Sequence, residues 1–254
     1  MAIASSRRAG FFIGDGAGIG KGRTLAALIL ENWRRGRRRH VWISISSDLK
    51  FDAKRDLEDL GARIQVHDLR KLSYGPLEEQ GVDHGVVFLT YASLISANKG
   101  KQSRLEQLVE WCGGKSFAGC LLFDEAHKAK NLFPETGSEP TKTGQAVVDI
   151  QAKLPGARVV YCSATGASSA RNMGYMVRLG LWGPGTAFAD FRTFFSKVAY
   201  RGMGAMELVA MDMKARGMYL CRTLSFADAT FTTDEVPLPV HEDGRKNLHQ
   251  MYEE

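Results

Sequence analysis

A run of alternating glycines, residues 14–24 (GDGAGIGKGRT), constrains the fold of this chain more than any other feature. A predicted strand, residues 9–13, precedes it, and a predicted helix, residues 24–35, follows it and ends before Gly36. The glycines allow a tight turn whose N–H groups meet phosphate oxygens beside the positive end of the helix dipole. Lys21 can then reach the outer phosphates of a nucleotide. The flanking strand and helix favour a phosphate loop over a glycine-rich turn with a chance lysine.

A second motif, LLFDEAH at residues 121–127, delivers two carboxylates to the carboxyl edge of a parallel sheet, where such sheets bind ligands. We expect Asp124 to hold Mg²⁺ through water, and Glu125 to orient and deprotonate an attacking water. His127 is expected between the nucleotide and the rest of the protein. An acidic loop after a strand is common. The phosphate loop about a hundred residues earlier is what favours a nucleotide site over an ordinary loop here.

A third motif, Ser163-Ala164-Thr165, also follows a predicted strand. We expect the hydroxyls of Ser163 and Thr165 to hydrogen-bond the acidic site and, with His127, to couple the nucleotide to the rest of the molecule. Taken alone, Ser-Ala-Thr would be a turn or a helix N-cap. Its position one helix and one strand after the acidic motif favours the coupling role.

The phosphate loop departs from the usual pattern G-x-x-x-x-G-K-[ST] at two positions. Asp15 stands at its first glycine, and Gly22 stands at the hydroxyl that normally contacts Mg²⁺. Thr24 lies about 200° further round the helix, so we expect it to face away from the phosphates. We therefore predict that a water completes the Mg²⁺ site beside a group such as Asp124. On this prediction, Gly22→Thr leaves the affinity for ATP·Mg²⁺ unchanged or raises it.

Short apolar, β-rich runs alternate with helical segments, which predicts an α/β fold with a parallel sheet and helices on both faces. Further strands are predicted at residues 41–45, 63–67, 86–90, 119–123 and 158–162. Further helices are predicted at residues 52–60, 143–154, 168–179, 188–199 and 203–216, and from the capping box of Ser103 and Glu106 through Trp111. We assign residues 8–185 to a nucleotide-binding domain, 186–231 to its helical extension, and 232–254 to a loosely held linker.

Composition and charge narrow the functional classes. No apolar run approaches the ~20 residues that span a bilayer, and the four cysteines lack the CxxC spacing of metal sites. The first 50 residues carry ten Lys/Arg against three Asp/Glu, which suits a nucleotide or nucleic-acid partner. The basic run at residues 34–39 could bind phosphates or direct nuclear import. A solvated helix end is favoured there, because cations complement the helix dipole.

The three motifs, in this order, resemble the first lobe of superfamily-2 helicases. Residues 86–91 (VVFLTY) resemble the strand and Thr-Tyr motif of Swi/Snf-type remodellers, and residues 124–131 (DEAHKAKN) resemble their extended acidic segment. The resemblance is stronger still to the strawberry notch family, whose pattern residues 8–11 (RAGF), 14–24, 29–32 (ILEN) and 47–50 (SDLK) match. Gly22-Arg23-Thr24 is itself typical of that family. The resemblance covers residues 8–252.

The resemblance implies a RecA-like P-loop NTPase lobe with ATP and Mg²⁺ as cofactors, in a nuclear regulator of transcription that acts on chromatin. It implies that Lys21, Asp124 and Glu125 are catalytic. The nucleotide-binding residues it implies are Gly16, Ala17, Gly18, Ile19, Gly20, Lys21, Gly22 and Arg23. On superfamily grounds, Ser46, Ser47 and Thr90 contact the backbone of DNA or another nucleic acid without reading its sequence. Ordinary Ser/Thr turns are an equal alternative.

The resemblance also implies a second RecA-like lobe that supplies an arginine finger. The sequence stops at Glu254, so we expect this chain to lack that lobe and to hydrolyse ATP hardly at all alone. Two hypotheses stay open. Lys21 and the acidic pair favour an ATPase lobe that serves a chromatin or nucleic-acid motor. Gly22 and the missing lobe favour a non-hydrolysing, nucleotide-binding scaffold in a transcription complex.

Overall fold

A computed structural model describes residues 2–3, 7–97, 102–129, 140–164, 170–225, 230 and 232–233. The strands among them are β1 (Ala2–Ile3), β2 (Arg7–Arg8), β3 (Phe11–Ile13), β4 (Arg39–Ser44), β5 (Val66–Asp68), β6 (Gly85–Thr90), β7 (Cys120–Asp124), β8 (Arg158–Cys162) and β9 (Tyr219–Leu220). The α-helices are α1 (Lys21–Arg34), α2 (Leu49–Asp59), α3 (Tyr91–Leu94), α4 (Arg104–Cys112), α5 (Lys142–Lys153), α6 (Phe191–Arg201) and α7 (Met203–Ala215). None of these helices is long and apolar enough to cross a membrane.

Strands β3 to β9 form one sheet in the order β5-β6-β4-β7-β8-β3-β9, and every neighbouring pair in it is parallel. The carboxyl ends of the strands therefore share one edge, which we call the carboxyl edge; the opposite side is the amino edge. Strands β3 and β4 are both parallel to the rest, so α1 must run back from the carboxyl edge to the amino edge. The predicted α/β fold with a parallel sheet is confirmed.

Both faces of the sheet are covered, as its side-chain alternation requires. Along β4, Trp42 packs in one buried cluster with Leu25 and Ile29 of α1 and Leu57 of α2. Its neighbour Ile43 belongs to a second cluster. Further members of that second cluster come from α4, α5 and α6: Leu108, Trp111, Val147, Ile150 and Phe194. The fully apolar strands predicted from the sequence are therefore buried strands with helices on both faces.

The capping box at the start of α4 is confirmed. The Ser103 hydroxyl accepts a hydrogen bond from the Glu106 N–H at 3.2 Å, and the Glu106 carboxylate accepts one from the Ser103 N–H at 2.8 Å. Other boundaries shift by a few residues. Helix α1 begins at Lys21, three residues before its predicted start, because the helix continues from the last turn of the glycine loop.

The helix predicted at residues 168–179 is wrong for its described part. A single 3₁₀ turn, Ala170–Met173, is followed by non-helical turns, and residues 165–169 lie outside the described chain. Arg178 explains the difference. Its guanidinium is fully buried and donates to the carbonyls of Arg8, Pro155 and Leu154, each at 2.9 Å. Its own carbonyl accepts from the Gly10 N–H at 2.8 Å, so tertiary partners take the groups that a helix would use.

The chain returns to the sheet after the helical extension. Helices α6 and α7 occupy the region predicted as helical, but strand β9 follows and pairs with β3, which sequence analysis did not predict. The chain falls into one compact unit, residues 1–223, and a second unit, residues 224–254. The domain boundaries proposed from the sequence, at residues 186 and 232, stay predictions.

Replacing Arg178 by methionine should destabilise the first unit. The substitution keeps most of the apolar volume but leaves several buried carbonyls without their donor, at about 1–3 kcal/mol for each unsatisfied group. We expect the free energy of unfolding in urea to fall by about 3 kcal/mol. Arg192→Met, at an exposed position of α6, is the control and should change it by less than about 0.5 kcal/mol. Equal stability of Arg178→Met and wild type would show that this network is dispensable.

Candidate nucleotide site

The glycine loop leaves β3 at the carboxyl edge and leads directly into α1. Gly18 has φ 77° and Gly20 has φ 90°, a left-handed conformation that favours glycine. Gly20 is the N-cap of α1, and no side chain caps the helix. The first turn of α1 also contains no acidic residue. The N–H groups and the positive dipole at this end are therefore arranged to bind an anion.

The Lys21 side chain folds over the loop that precedes it. Its ammonium donates to the carbonyl oxygen of Gly16 at 3.0 Å and to that of Asp15 at 3.3 Å. Lys21 is thus the cation at the concave side of the loop, beside the helix N-terminus. This is the placement that a lysine needs to contact a phosphate held by the loop.

Asp15 anchors the start of the loop. Its carboxylate is fully buried and accepts from the Arg222 side chain at 2.5 Å and 3.1 Å and from the Arg222 backbone N–H at 2.8 Å. Burial alone raises the pKa of Asp15, but the hydrogen bonds and charge of Arg222 outweigh it and lower that pKa. Asp15 is therefore a fixed anion whose charge Arg222 balances. Sequence analysis missed Arg222, since no local pattern marks it.

Backbone pairing extends this anchor. The N–H groups of Phe12, Gly14 and Gly16 donate to the carbonyls of residues 218, 220 and 222 at 2.9, 2.7 and 2.9 Å. Strand β9 and the residues after it therefore run alongside β3 and continue into the loop. The first half of the loop is held as an extension of the sheet, whereas its second half turns over the helix N-terminus.

Asp124 ends β7 at the same edge. Its carboxylate accepts from the Ser44 hydroxyl at 2.9 Å and from the Glu125 N–H at 3.0 Å, and its carbonyl accepts from the Tyr91 hydroxyl at 2.9 Å. Burial, and then the charge of Glu125, raise the pKa of Asp124. A cation would relieve this destabilised carboxylate. Mg²⁺, a hard cation that binds one or two carboxylates and keeps its waters, fits this donor set.

Glu125 is the only non-glycine residue with positive φ among those described, at 46°. Strained backbone of this kind persists where surrounding contacts enforce it and is concentrated at functional sites. The His127 Nδ1 atom lies 3.2 Å from Glu125 Oε2 and 3.1 Å from the hydroxyl of buried Ser163. The Ser163 N–H in turn donates to the Ile13 carbonyl of β3 at 3.0 Å. A polar chain thus links the acidic motif to the strand that carries the loop.

The structure brings together His127 and Ser163, two of the three residues predicted to couple the site. The third, Thr165, lies outside the described residues. Ser44 and Tyr91, which support Asp124, were not predicted. Their signal was present in the sequence, since Ser44 lies near the end of the strand predicted at residues 41–45 and Tyr91 belongs to the Thr-Tyr motif.

Cys162 shows that the two halves of the site meet. In the sheet register it lies between Ile13 of β3 and Asp124 of β7. Burial raises the pKa of its thiol, the charges of Asp124 and Glu125 raise it further, and the charge of Lys21 lowers it. The loop lysine and both motif carboxylates therefore surround the end of β8.

Gly22 has a neighbour that the sequence does not indicate. A Cβ atom placed on Gly22 would collide with the Asp56 carboxylate of α2. Burial raises the pKa of Asp56, which is the sign of a carboxylate held between two helices. The prediction that Gly22→Thr leaves the affinity for ATP·Mg²⁺ unchanged or raises it stays a prediction. The structure adds that the Asp56 carboxylate must turn aside to admit a larger residue.

The residues predicted to touch nucleic acid lie at the carboxyl edge beside the site. Ser44 and Thr90 are paired in the register of β4 and β6, and Ser46 and Ser47 follow β4 directly. The Thr90 hydroxyl caps α3, accepting from the Ser93 N–H at 3.1 Å, and Thr90 is only 9% exposed. Contact of Ser46, Ser47 and Thr90 with nucleic acid stays a prediction.

The parallel sheet, the glycine loop after β3 and the acidic pair after β7 define a helicase-like P-loop NTPase lobe. The chain belongs to the family described as P-loop containing NTP hydrolase pore-1, whose model matches residues 1–253, and its relatives confirm the resemblance to strawberry notch proteins.

Three relatives illustrate this relationship. FORGETTER 1 of Arabidopsis thaliana is 63% identical over 239 residues, covering 93% of this chain and 18% of that protein. Protein strawberry notch of Drosophila melanogaster is 56% identical over 239 residues, covering 91% and 14%. Protein strawberry notch homolog 1 of Homo sapiens is 58% identical over 238 residues, covering 91% and 17%. The chain thus spans less than a fifth of the length of these relatives.

Solved structures confirm the fold. The Sulfolobus solfataricus SWI2/SNF2 ATPase core in complex with dsDNA matches with a TM-score of 0.56 and 17% identity, covering 85% of this chain and 40% of that chain. Another structure of that ATPase core domain gives a TM-score of 0.56 at 16% identity, with 85% and 39% coverage. The predicted RecA-like architecture of a helicase lobe is therefore confirmed.

Removing the Arg222 side chain should loosen the phosphate loop. Asp15 would remain buried without its charge partner, so we expect Arg222→Ala to lower the free energy of unfolding measured in urea. Nucleotide affinity in calorimetry should fall about tenfold, which is ~1.4 kcal/mol. Asp15→Asn in the Arg222→Ala background should add little, because the two residues act as a pair.

The control for this cycle is Arg216→Ala, which breaks the surface ion pair of Arg216 with Asp212 inside α7. It should change both quantities within error. Additive effects of the Asp15 and Arg222 substitutions would contradict a coupled anchor.

Gly22→Thr should destabilise the chain by about 1 kcal/mol, because the added side chain must displace the carboxylate end of the Asp56 side chain. Asp56→Ala in the same chain should recover much of the loss. Gly204→Thr is a matched control: Gly204 is also the second residue of a helix, and a Cβ there meets nothing within 4 Å. Full stability of Gly22→Thr alone, measured by thermal melting, would show that α2 yields without cost.

Proposed function

We propose that this chain is the ATP-binding lobe of a superfamily-2 helicase-like ATPase, and that Lys21, Asp124 and Glu125 are its catalytic residues. The observation that carries this proposal is the sheet register, which places Cys162 between Ile13, the residue before the glycine loop, and Asp124, the first carboxylate of the acidic pair. A loop with free helix N–H groups and a cation binds phosphates. A carboxylate pair on the adjoining strand supplies what phosphate chemistry also needs.

Of the predicted residues 16–23, those from 17 to 23 would hold the phosphates through backbone N–H groups, because the Gly16 N–H already donates to the Arg222 carbonyl. Lys21 would supply the point charge. Asp124 would hold Mg²⁺ through water, since Ser44 and the Glu125 N–H already occupy parts of its carboxylate. Mg²⁺, when bound, offsets negative charge on the phosphates. Glu125 would orient the attacking water and accept its proton. The strained backbone of Glu125 fixes the direction of that carboxylate.

His127 and Ser163 would report the state of the site. The imidazole bridges Glu125 and Ser163, and Ser163 is hydrogen-bonded to the strand before the loop. A change in the Glu125 hydrogen bonding would therefore reach β3 and β8 through His127. We propose this chain of contacts as the route from nucleotide to nucleic acid.

The nucleic-acid partner is proposed at the carboxyl edge, where Ser46, Ser47 and Thr90 would contact the phosphate backbone independently of sequence. The likeness to a SWI2/SNF2 core solved with dsDNA supports DNA as the first partner to test. The relationship to strawberry notch proteins supports a nuclear protein in chromatin-linked regulation of transcription. Hydrolysis would need a second lobe with an arginine finger, supplied by a full-length protein.

Lys21→Ala and Glu125→Gln separate binding from hydrolysis. Lys21→Ala should lose most ATP·Mg²⁺ affinity in calorimetry, because the main charge facing the phosphates disappears. Glu125→Gln should bind like wild type. In a full-length protein with its second lobe, Glu125→Gln should abolish ATP hydrolysis in the presence of DNA.

Arg35→Ala is the control for these variants, since Arg35 is exposed and paired with Glu31 at the opposite end of α1 from the glycine loop. Equal binding by wild type and Lys21→Ala would place the nucleotide elsewhere. Intact binding without any hydrolysis by the full-length wild type would favour the non-hydrolysing scaffold.

A further inference from the structure

A basic surface lies at the amino edge, away from the nucleotide site. Because α1 runs back across the sheet, its end and the following turn bring Arg37 and Arg38 to the start of β4. The sequence favoured a solvated helix end here, and Arg34, Arg35 and Arg38 are exposed as that predicts. Arg37 differs, because its Nη1 atom is buried and lacks a hydrogen-bond partner among the described residues.

Two arginines from distant parts of the sequence join this turn. Arg158 opens β8, and its guanidinium donates to the Ala118 carbonyl before β7. Arg8 pairs with the turn before β8: its backbone N–H donates to Pro155 at 3.0 Å and its Nε to Gly156 at 3.2 Å. We call Arg8, Arg37, Arg38 and Arg158 the arginine edge.

The positive charge of the arginine edge is not balanced by carboxylates of the described residues. The neighbouring Arg35 is paired with Glu31 at 2.6 Å, and Arg39 with Glu78 at 2.9 Å. Across the described ranges, by contrast, none of the four arginine-edge residues has a carboxylate within ion-pair distance. Burial, and then the charges of Arg8, Arg37 and Arg35, lower the pKa of Arg158. These cations therefore repel one another, and an anion would relieve them.

A buried histidine holds the turn in place. His40 Nδ1 accepts from the Cys120 N–H at 3.1 Å, so its Nε2 carries the proton and donates to the Arg37 carbonyl at 2.9 Å. Burial and the charges of Arg37 and Arg158 lower the pKa of His40 to about 4. The imidazole is therefore neutral and fixes the backbone without adding charge.

The surface is concave and of the right length for a phosphate backbone. A cavity of about 270 Å³ is lined by Arg37, Arg38, Arg39 and the turn at residues 116–119. From β4 to β3 is three strand spacings, about 14 Å at ~4.8 Å each. One nucleic-acid strand carries a phosphate about every 3.4 Å along its axis, so this distance offers about four phosphates to four arginines. Guanidinium forks also match phosphate geometry.

We propose that the arginine edge is a second, sequence-independent binding site for the nucleic-acid backbone, at the opposite edge of the sheet from Ser46, Ser47 and Thr90. Two of its arginines precede β4, one opens β8 and one precedes β3, so the positive charge is spread along the edge and suits the repeated charges of a nucleic-acid backbone. The site does not depend on the carboxyl-edge contacts. The proposed site can therefore be tested independently of the proposed nucleotide function.

The test is the salt dependence of DNA binding by the triple variant Arg37→Gln, Arg38→Gln, Arg158→Gln. Fluorescence anisotropy with two unrelated duplexes, at several salt concentrations, gives the slope of log affinity against log salt. Each phosphate contact contributes about 0.9 to that slope, so we expect the triple variant to lower it by about 2–3 on both duplexes. Thermal melting confirms folding.

The matched control removes the same charge elsewhere: Arg192→Gln, Lys197→Gln and Arg201→Gln, all exposed on α6. Equal slopes for the triple variant and this control would overturn the proposal. So would unchanged DNA binding together with lost binding of poly-glutamate, which would assign the surface to an acidic polypeptide. Should the triple variant not fold, Arg38→Glu alone, at an exposed position, must still lower the slope by about 1.

Discussion

The ion pair between Asp15 and Arg222 is the contact on which the phosphate loop depends. A loop that presents backbone N–H groups to an anion must hold its shape without help from that anion. Here the carboxylate of Asp15 is buried at the loop's start, and Arg222 neutralises it from a segment 207 residues further along. The loop therefore acquires its shape only when the chain has returned to the sheet through β9. The same ion pair therefore supports both the packing of β9 beside β3 and the loop that we propose binds the nucleotide.

The carboxyl and amino edges of the sheet carry different charged groups. At the carboxyl edge, burial and mutual repulsion destabilise the carboxylate of Asp124, while Lys21 faces it across the end of β8. At the amino edge, arginines crowd together with few acids among the described residues. On our proposals, each edge would therefore bind a different charged group: a nucleotide with its cation at one, and a polyanion at the other. The parallel sheet makes this separation possible, because it sends all like ends of its strands to one side.

Local signals were sufficient for most strands of the main sheet and for the capping box at Ser103, because each is encoded by neighbouring residues. Helix prediction failed at residues 168–179, where Arg178 satisfies carbonyls that no local pattern reveals. Arg222 and the contact of Asp56 with Gly22 were missed for a related reason. Both contacts join positions that are far apart in the sequence. The sequence alone does not indicate which distant side chain approaches a given residue.

The thiol of Cys162 lies between the two halves of the candidate site, a position where oxidation would be damaging. Thiolates, not thiols, are the species that oxidants attack. Burial and the neighbouring carboxylates raise the pKa of Cys162, so the sulfur stays protonated at neutral pH. The negative charge arranged for the nucleotide's metal ion thus also protects the sulfur beside it. We therefore expect Cys162 to react more slowly with oxidants than an exposed cysteine would.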